Sequence, residues 1–136
     1  MAKQIVYLDM DGTIADLYGI SDWLGKLRRE EKNLFLSCNA FITEEDLFKI
    51  FPPELFDIRI LSMTPKGASE EYCKRVVYEK NVWLDLFFPR ITKRIYLKYG
   101  NNKNLKNSKN HILIDDNKII RENFRGIAVE PFWIWG

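Results

Sequence analysis

Ile5-Val6-Tyr7-Leu8-Asp9-Met10-Asp11-Gly12-Thr13 sets four apolar residues in a row against two carboxylates and a glycine. An unbroken apolar run of this length is expected of a strand buried on both faces of a parallel sheet. The two carboxylates leave that strand together, and Gly12 lets the backbone turn. Like charges a few ångströms apart repel and raise one another's pKa. Mg²⁺ relieves the conflict, because hard carboxylate oxygens are its preferred ligands. A carboxylate held beside such a cation and a phosphate is placed for covalent catalysis of the aspartyl-phosphate type. The stretch therefore reads as a phosphoryl-transfer site. A calcium loop is excluded: it needs glycine sixth and glutamate twelfth, between two helices. Here glycine is fourth and the twelfth position from Asp9 is Ile20. The plainer alternative is a turn in which Asp9 and Asp11 only cap the next helix.

Outward from this stretch, strand and helix signals alternate. Ser21 or Asp22 is placed to cap a helix carrying Trp23, Leu24 and Leu27. Thr43-Glu44-Glu45-Asp46 has the form of a capping box and leads to Leu47, Phe48 and Ile50, with Pro52-Pro53 as the stop. Residues 57–61 alternate as a second strand running into Ser62-Met63-Thr64-Pro65, and residues 68–83 read as a helix. Strands are expected at 94–97, 111–114 and 126–129, with a loop at 100–104 and a short helix at 118–124. This order predicts an α/β fold, a mainly parallel sheet with flanking helices. Residues 1–136 form a single domain in this reading. Residues 14–56 form a small helical cap inserted over the site.

Composition narrows the class. In 136 residues, a hydrophobic content of 46% and an aromatic content of 14% are ample for a core, which excludes disorder. No apolar stretch approaches the ~20 residues of a membrane helix, so no membrane partner is expected. Met1-Ala2-Lys3-Gln4 leads directly into a strand without a signal-peptide layout. Cys38 and Cys73 have no metal-like spacing and suit a reducing, cytoplasmic compartment. Net charge is +2, yet residues 86–114 contain no acid while holding Arg90, Lys93, Arg94, Lys98, Lys103, Lys106 and Lys109. Such a stretch attracts phosphate or nucleic acid; a solvated basic face is the plainer alternative.

In an open α/β sheet, ligands bind beyond the carboxyl ends of the strands. Four groups fall at predicted strand ends: Asp9/Asp11, Ser62/Thr64, a basic loop around Lys103, and Asp115-Asp116. Phosphoryl transfer needs this inventory of nucleophile, metal ligands, phosphate donors and a cation for developing charge. Ser62 and Thr64 compete for the hydroxyl role. Lys98 and Lys106 compete with Lys103, and Lys80 lies on a helix where a surface lysine is the default. His111 has no Ser or Cys arranged with it and receives no catalytic role. Tyr18, Trp23, Phe35 and Phe41 fall in the cap, as core or as a stacking face for a base. Phe132-Trp133-Ile134-Trp135 either docks on the core or meets another subunit.

In their order, Asp9-Met10-Asp11-Gly12-Thr13, Leu61-Ser62, a downstream lysine and Leu113-Ile114-Asp115-Asp116 resemble the four motifs of the haloacid dehalogenase-like (HAD) phosphatase superfamily. Within it the chain looks most like the 5′(3′)-deoxyribonucleotidases. That likeness rests on Ile14-Ala15-Asp16, on Thr64-Pro65-Lys66 followed by Tyr78-Glu79-Lys80 and Trp83, and on Tyr99-Gly100-Asn101-Asn102-Lys103. The resemblance implies a Rossmann-like core with the cap after the first motif. It implies Asp9 as nucleophile and Asp11 as general acid and base. Mg²⁺ would be held by Asp9, the main-chain carbonyl of Asp11, and a carboxylate of the Asp115-Asp116 pair, with Asp116 the direct ligand and Asp115 orienting it. Ser62, Thr64, Lys103 and Lys80 would bind phosphate. The implied substrate is a small phosphomonoester, a nucleoside monophosphate. Two alternatives stand beside it: a phosphatase of nucleic-acid ends, and a binding protein on an inactive scaffold.

Overall fold

A computed structural model describes residues 2–135. The apolar run becomes β1 (Gln4–Leu8), and its last three residues are buried. The chain continues through β2 (Ala15–Asp16), α1 (Trp23–Arg28), a 3₁₀ turn at Phe35–Ser37, β3 (Asn39–Ala40) and α2 (Glu44–Ile50). It then forms β4 (Phe56–Met63), α3 (Glu70–Phe87), β5 (Arg94–Leu97), β6 (Ile112–Ile114), α4 (Lys118–Asn123), β7 (Ile127–Val129) and α5 (Phe132–Trp135).

Five strands make one sheet in the order β5-β4-β1-β6-β7, and every neighbouring pair is parallel. The α/β class and the parallel sheet with flanking helices are as expected. β1 lies at the centre, with Leu8 opposite Ile60 of β4 and Ile114 of β6. The chain moves outward from β1 first to one edge and then to the other. That reversal opens a crevice beyond the carboxyl end of β1, the usual ligand position in sheets of this kind.

Alternation along the strands serves two cores. Val6, Leu8, Ile58 and Ile60 join Val76, Trp83 and Leu84 of α3 in the larger one. Tyr7, Leu61 and Leu113 pack with Phe124, Ile120 and Leu105 on the other face. Burying each large apolar side chain contributes roughly 1.5–3 kcal/mol.

Local chemistry accounts for most element ends. Thr43 and Ser69 cap α2 and α3 by accepting from the N–H of Asp46 and Tyr72. α3 starts later than expected and runs on to Phe87, since no breaker precedes Pro89. Asp22 precedes α1 but in a left-handed conformation (φ 55°), without a cap bond; its carboxylate pairs with Arg29 instead. The two-residue pair β2–β3 had no signal in the sequence. The aromatic tail docks on the core: Ile134 is buried, and Trp135 stacks on Phe41 and donates to the carbonyl of Thr13 at 2.7 Å. Among the described residues no helix is long and apolar enough to cross a membrane.

Candidate active site

Asp9 and Asp11 follow β1 directly, and each is met by a different buried lysine. Asp9 N donates to the Ile114 carbonyl at 2.9 Å, which carries the strand pairing one step beyond β1. Gly12 then turns the chain at φ +81°; a Cβ there would collide with the carboxylate of Asp116 and the ring of Tyr18. Only glycine fits both the conformation and the approach.

On the α3 side, Lys80 is 1% exposed. Its ammonium donates to Asp11 Oδ2 at 3.0 Å, Ser62 Oγ at 2.8 Å and the Met63 carbonyl at 3.0 Å. The Phe35 ring covers it at 5.1 Å. Three acceptors satisfy all three of its protons. Burial raises the pKa of Asp11 above a carboxylate's ordinary value; Lys80 pulls against that rise and Asp9 adds to it.

On the other side, Lys103 is 2% exposed and donates to Asp9 Oδ1 at 3.0 Å and Asp115 Oδ2 at 2.6 Å. Burial works against its charge, but Asp9 and then Asp115 outweigh that, so its pKa lies above lysine's ordinary value. Thr13 Oγ1 donates to Asp9 Oδ2 at 3.2 Å, and Asn117 N to Asp115 Oδ1 at 2.9 Å. Asp116 is different. It forms no ion pair among the described residues, and its pKa is pushed up to about 8 by desolvation, then by the charge of Asp9.

Asp9, Asp115 and Asp116 each bring an oxygen within 4.8 Å of the others. Among the described residues one ammonium, Lys103, faces these three carboxyl groups, a deficit of positive charge. An all-oxygen donor set with that deficit fits a hard divalent cation. Both oxygens of Asp115 are already engaged, which leaves Asp116 the freer ligand.

A cavity of about 340 Å³ opens onto this cluster. Asp9, Asp11, Lys103, Asp115 and Asp116 line its floor, with Thr64 on the wall. Tyr18 and Trp23, edge-to-face at 4.7 Å, line it from the segment after β1. Ser62 and Lys80 do not line it; they sit behind Asp11, and Ser62 accepts from Lys80. Thr64 N donates to the Leu97 carbonyl at 2.8 Å. Within 14–56 the cavity residues come from 17–35, whereas Glu44 of α2 accepts from Arg90 N. Phe35 lines the cavity; Phe41 lies against Trp135 instead. Lys98 and Lys106 are outside it.

Glu79 is a functional residue that the sequence does not single out. It is buried, accepts from the main-chain N–H of Asn33 at 2.8 Å and Phe35 at 3.1 Å, and pairs with Arg75 at 2.7 Å. Tyr72 and Ser69 of the same region hold the Glu31 carbonyl and the Glu30 carboxylate. Together they fasten the segment that covers the cavity. Its sequence signal is positional: Glu79 and Lys80 fall on the buried stripe Tyr72, Val76, Trp83, Leu84, where apolar residues belong.

The chain matches no protein-family model and no curated protein.

Proposed function

We propose that the chain is a Mg²⁺-dependent phosphomonoesterase of the HAD kind, with a Rossmann-like core, acting through an aspartyl-phosphate on (deoxy)nucleoside monophosphates. The observation that carries this is the unequal sharing of two lysines between the motif's carboxylates. Asp11 has its own ammonium, while Asp9 shares one with Asp115 beside the uncompensated Asp116.

Asp9, Asp116 and the Asp11 carbonyl would hold the cation, with Asp115 orienting them; when bound, it neutralises phosphate oxygens. Thr13 and Lys103 fix the Asp9 carboxylate, so that it meets phosphorus with little reorganisation. A bond forms from an Asp9 carboxylate oxygen to phosphorus as the bond to the leaving oxygen breaks. Asp11 gives that oxygen its proton, and its raised pKa favours the protonated form this step needs. Asp11 then takes a proton from water, which attacks phosphorus, releases phosphate and restores Asp9. Lys80 holds Asp11 in place, and Thr64 and Lys103 face the phosphate. The Tyr18–Trp23 pair supplies an aromatic wall for a base, and about 340 Å³ suits a small ligand.

Turnover of an aryl phosphate with added Mg²⁺, its loss on chelation, and a panel of nucleoside monophosphates test the reading. No release by the parent protein in excess Mg²⁺ would reject it in favour of a binding protein.

A further inference from the structure

The cavity continues past Tyr99. A groove of about 660 Å³ lies between α3 and the edge strand β5, and Thr64, Pro65 and Tyr99 line both spaces. Its apolar lining includes Val77, Tyr96 and Leu97, and Lys74 and Lys98 are exposed along it. Lys66 stands at the junction, its ammonium 5.6 Å from the centre of the Tyr99 ring.

None of these three lysines forms an ion pair among the described residues. Among the described residues Glu70 is the one acid in the groove's lining. The acid-free stretch of the sequence supplies only one lysine of this surplus. Arg94 pairs with Asp85, Lys93 with Asp57, Arg90 covers Phe48, and Lys103 serves the active site. Of that stretch, Lys98 is the basic residue that reaches the groove.

A mononucleotide has its single phosphate in the catalytic cavity, so these lysines would face no charge. An oligonucleotide carries a further phosphodiester and a further base. Lysines that neutralise phosphates gain affinity through counterion release, and an exposed tyrosine ring offers a sequence-tolerant stacking face. Tyr99 is more than half exposed, at the point where the two spaces meet.

We infer that the same centre accepts the phosphorylated end of a single-stranded oligonucleotide, with the adjoining nucleotide seated in the groove between α3 and β5. The inference rests on the phosphomonoesterase reading and adds to it a second, longer substrate class. Lys74 and Lys98 are specificity determinants that touch the substrate away from the reacting atoms.

Phosphate release is measured from mono-, di- and hexanucleotides phosphorylated at either end, from a phosphoserine peptide, and from an aryl phosphate, at low and at physiological salt. The expected result is a kcat/KM about tenfold higher for the dinucleotide than the mononucleotide, falling with salt. Lys74→Glu/Lys98→Glu removes that gain and leaves the aryl phosphate and mononucleotide unchanged. No gain from mono- to dinucleotide, an equal loss on every substrate, or faster release from the peptide overturns the inference. Binding of a fluorescent phosphorylated hexanucleotide to Asp9→Asn protein separates the two readings. Salt-sensitive binding that the lysine reversals abolish, without aryl phosphate turnover by the parent, keeps the groove and rejects the phosphatase. Aryl phosphate turnover without such binding does the reverse.

Discussion

The two lysine-centred halves of the site use the same residue type for opposite ends. Lys80 projects from the middle of an 18-residue helix, meets one carboxylate, and spends its other protons on neutral oxygens. Lys103 comes from an irregular connection and stands between two carboxylates with a third alongside. In the first half one ammonium meets one carboxylate and holds Asp11 in place. In the second half three carboxyl groups face one ammonium, an arrangement that suits a cation. The two carboxylates of one short motif are thus given different surroundings by what lies behind each.

Substitutions that remove each half's key group test this division. The largest effect is expected from Asp9→Asn, which brings aryl phosphate hydrolysis to background, whereas Asp11→Asn lowers it by about 10²–10⁴-fold. Equal activity in the Asp9→Asn and parent proteins would break the assignment of nucleophile. Next in size is stability without metal, read from urea unfolding. Lys103→Met leaves Asp9 and Asp115 facing each other and costs about 3–5 kcal/mol. Lys80→Met leaves a single, partly accessible carboxylate and costs about 1–3 kcal/mol. Added Mg²⁺ should restore more of the loss in Lys103→Met, because binding to the folded state alone stabilises it; equal recovery in both would remove the distinction.

Glu79→Gln keeps the shape but loses the charge that holds Asn33 and Phe35. It should cost about 1–3 kcal/mol and raise KM with little change in kcat, since it acts on the covering segment.

The smallest effect is a control from the opposite edge of the sheet. His111 is buried there against Tyr7, its Nδ1 without a hydrogen-bond partner among the described residues. Desolvation, then the nearby Arg59, holds its pKa below 6.5. Between the folded pKa and the unfolded value the unfolded chain binds more protons, so stability rises with pH across that window and levels above it. His111→Gln should flatten that portion of the stability profile without changing phosphate release.

The sequence made much of this legible. The run 5–8 needed no partner to announce a strand buried on both faces, and its carboxyl end located the crevice. Asp115-Asp116 were visible because they follow an apolar strand, and Ser62 because it stands near the end of one, although its contact is with Lys80 rather than the cavity. Lys103 could not be separated from Lys98 and Lys106, since a loop lysine looks the same in sequence whether buried or solvated. Lys80 stood out only through the family resemblance and Glu79 not at all, because a charge on a helix is most often at the surface, although their place on the stripe of Tyr72 and Val76 marked both. The pair β2–β3 is too short for any periodicity to reveal.

The sequence alone determined that two carboxylates would leave a buried strand together, because an unbroken apolar run is a pattern of a few neighbouring residues. It also determined the parallel order of strand and helix from which a crevice follows. Only the tertiary structure decided which lysine each carboxylate receives, that Ser62 serves Lys80, and that Asp116 has no ion pair among the described residues. Those contacts join residues 12 to 94 positions apart, and distances of that kind are set by how helices and loops close over the sheet.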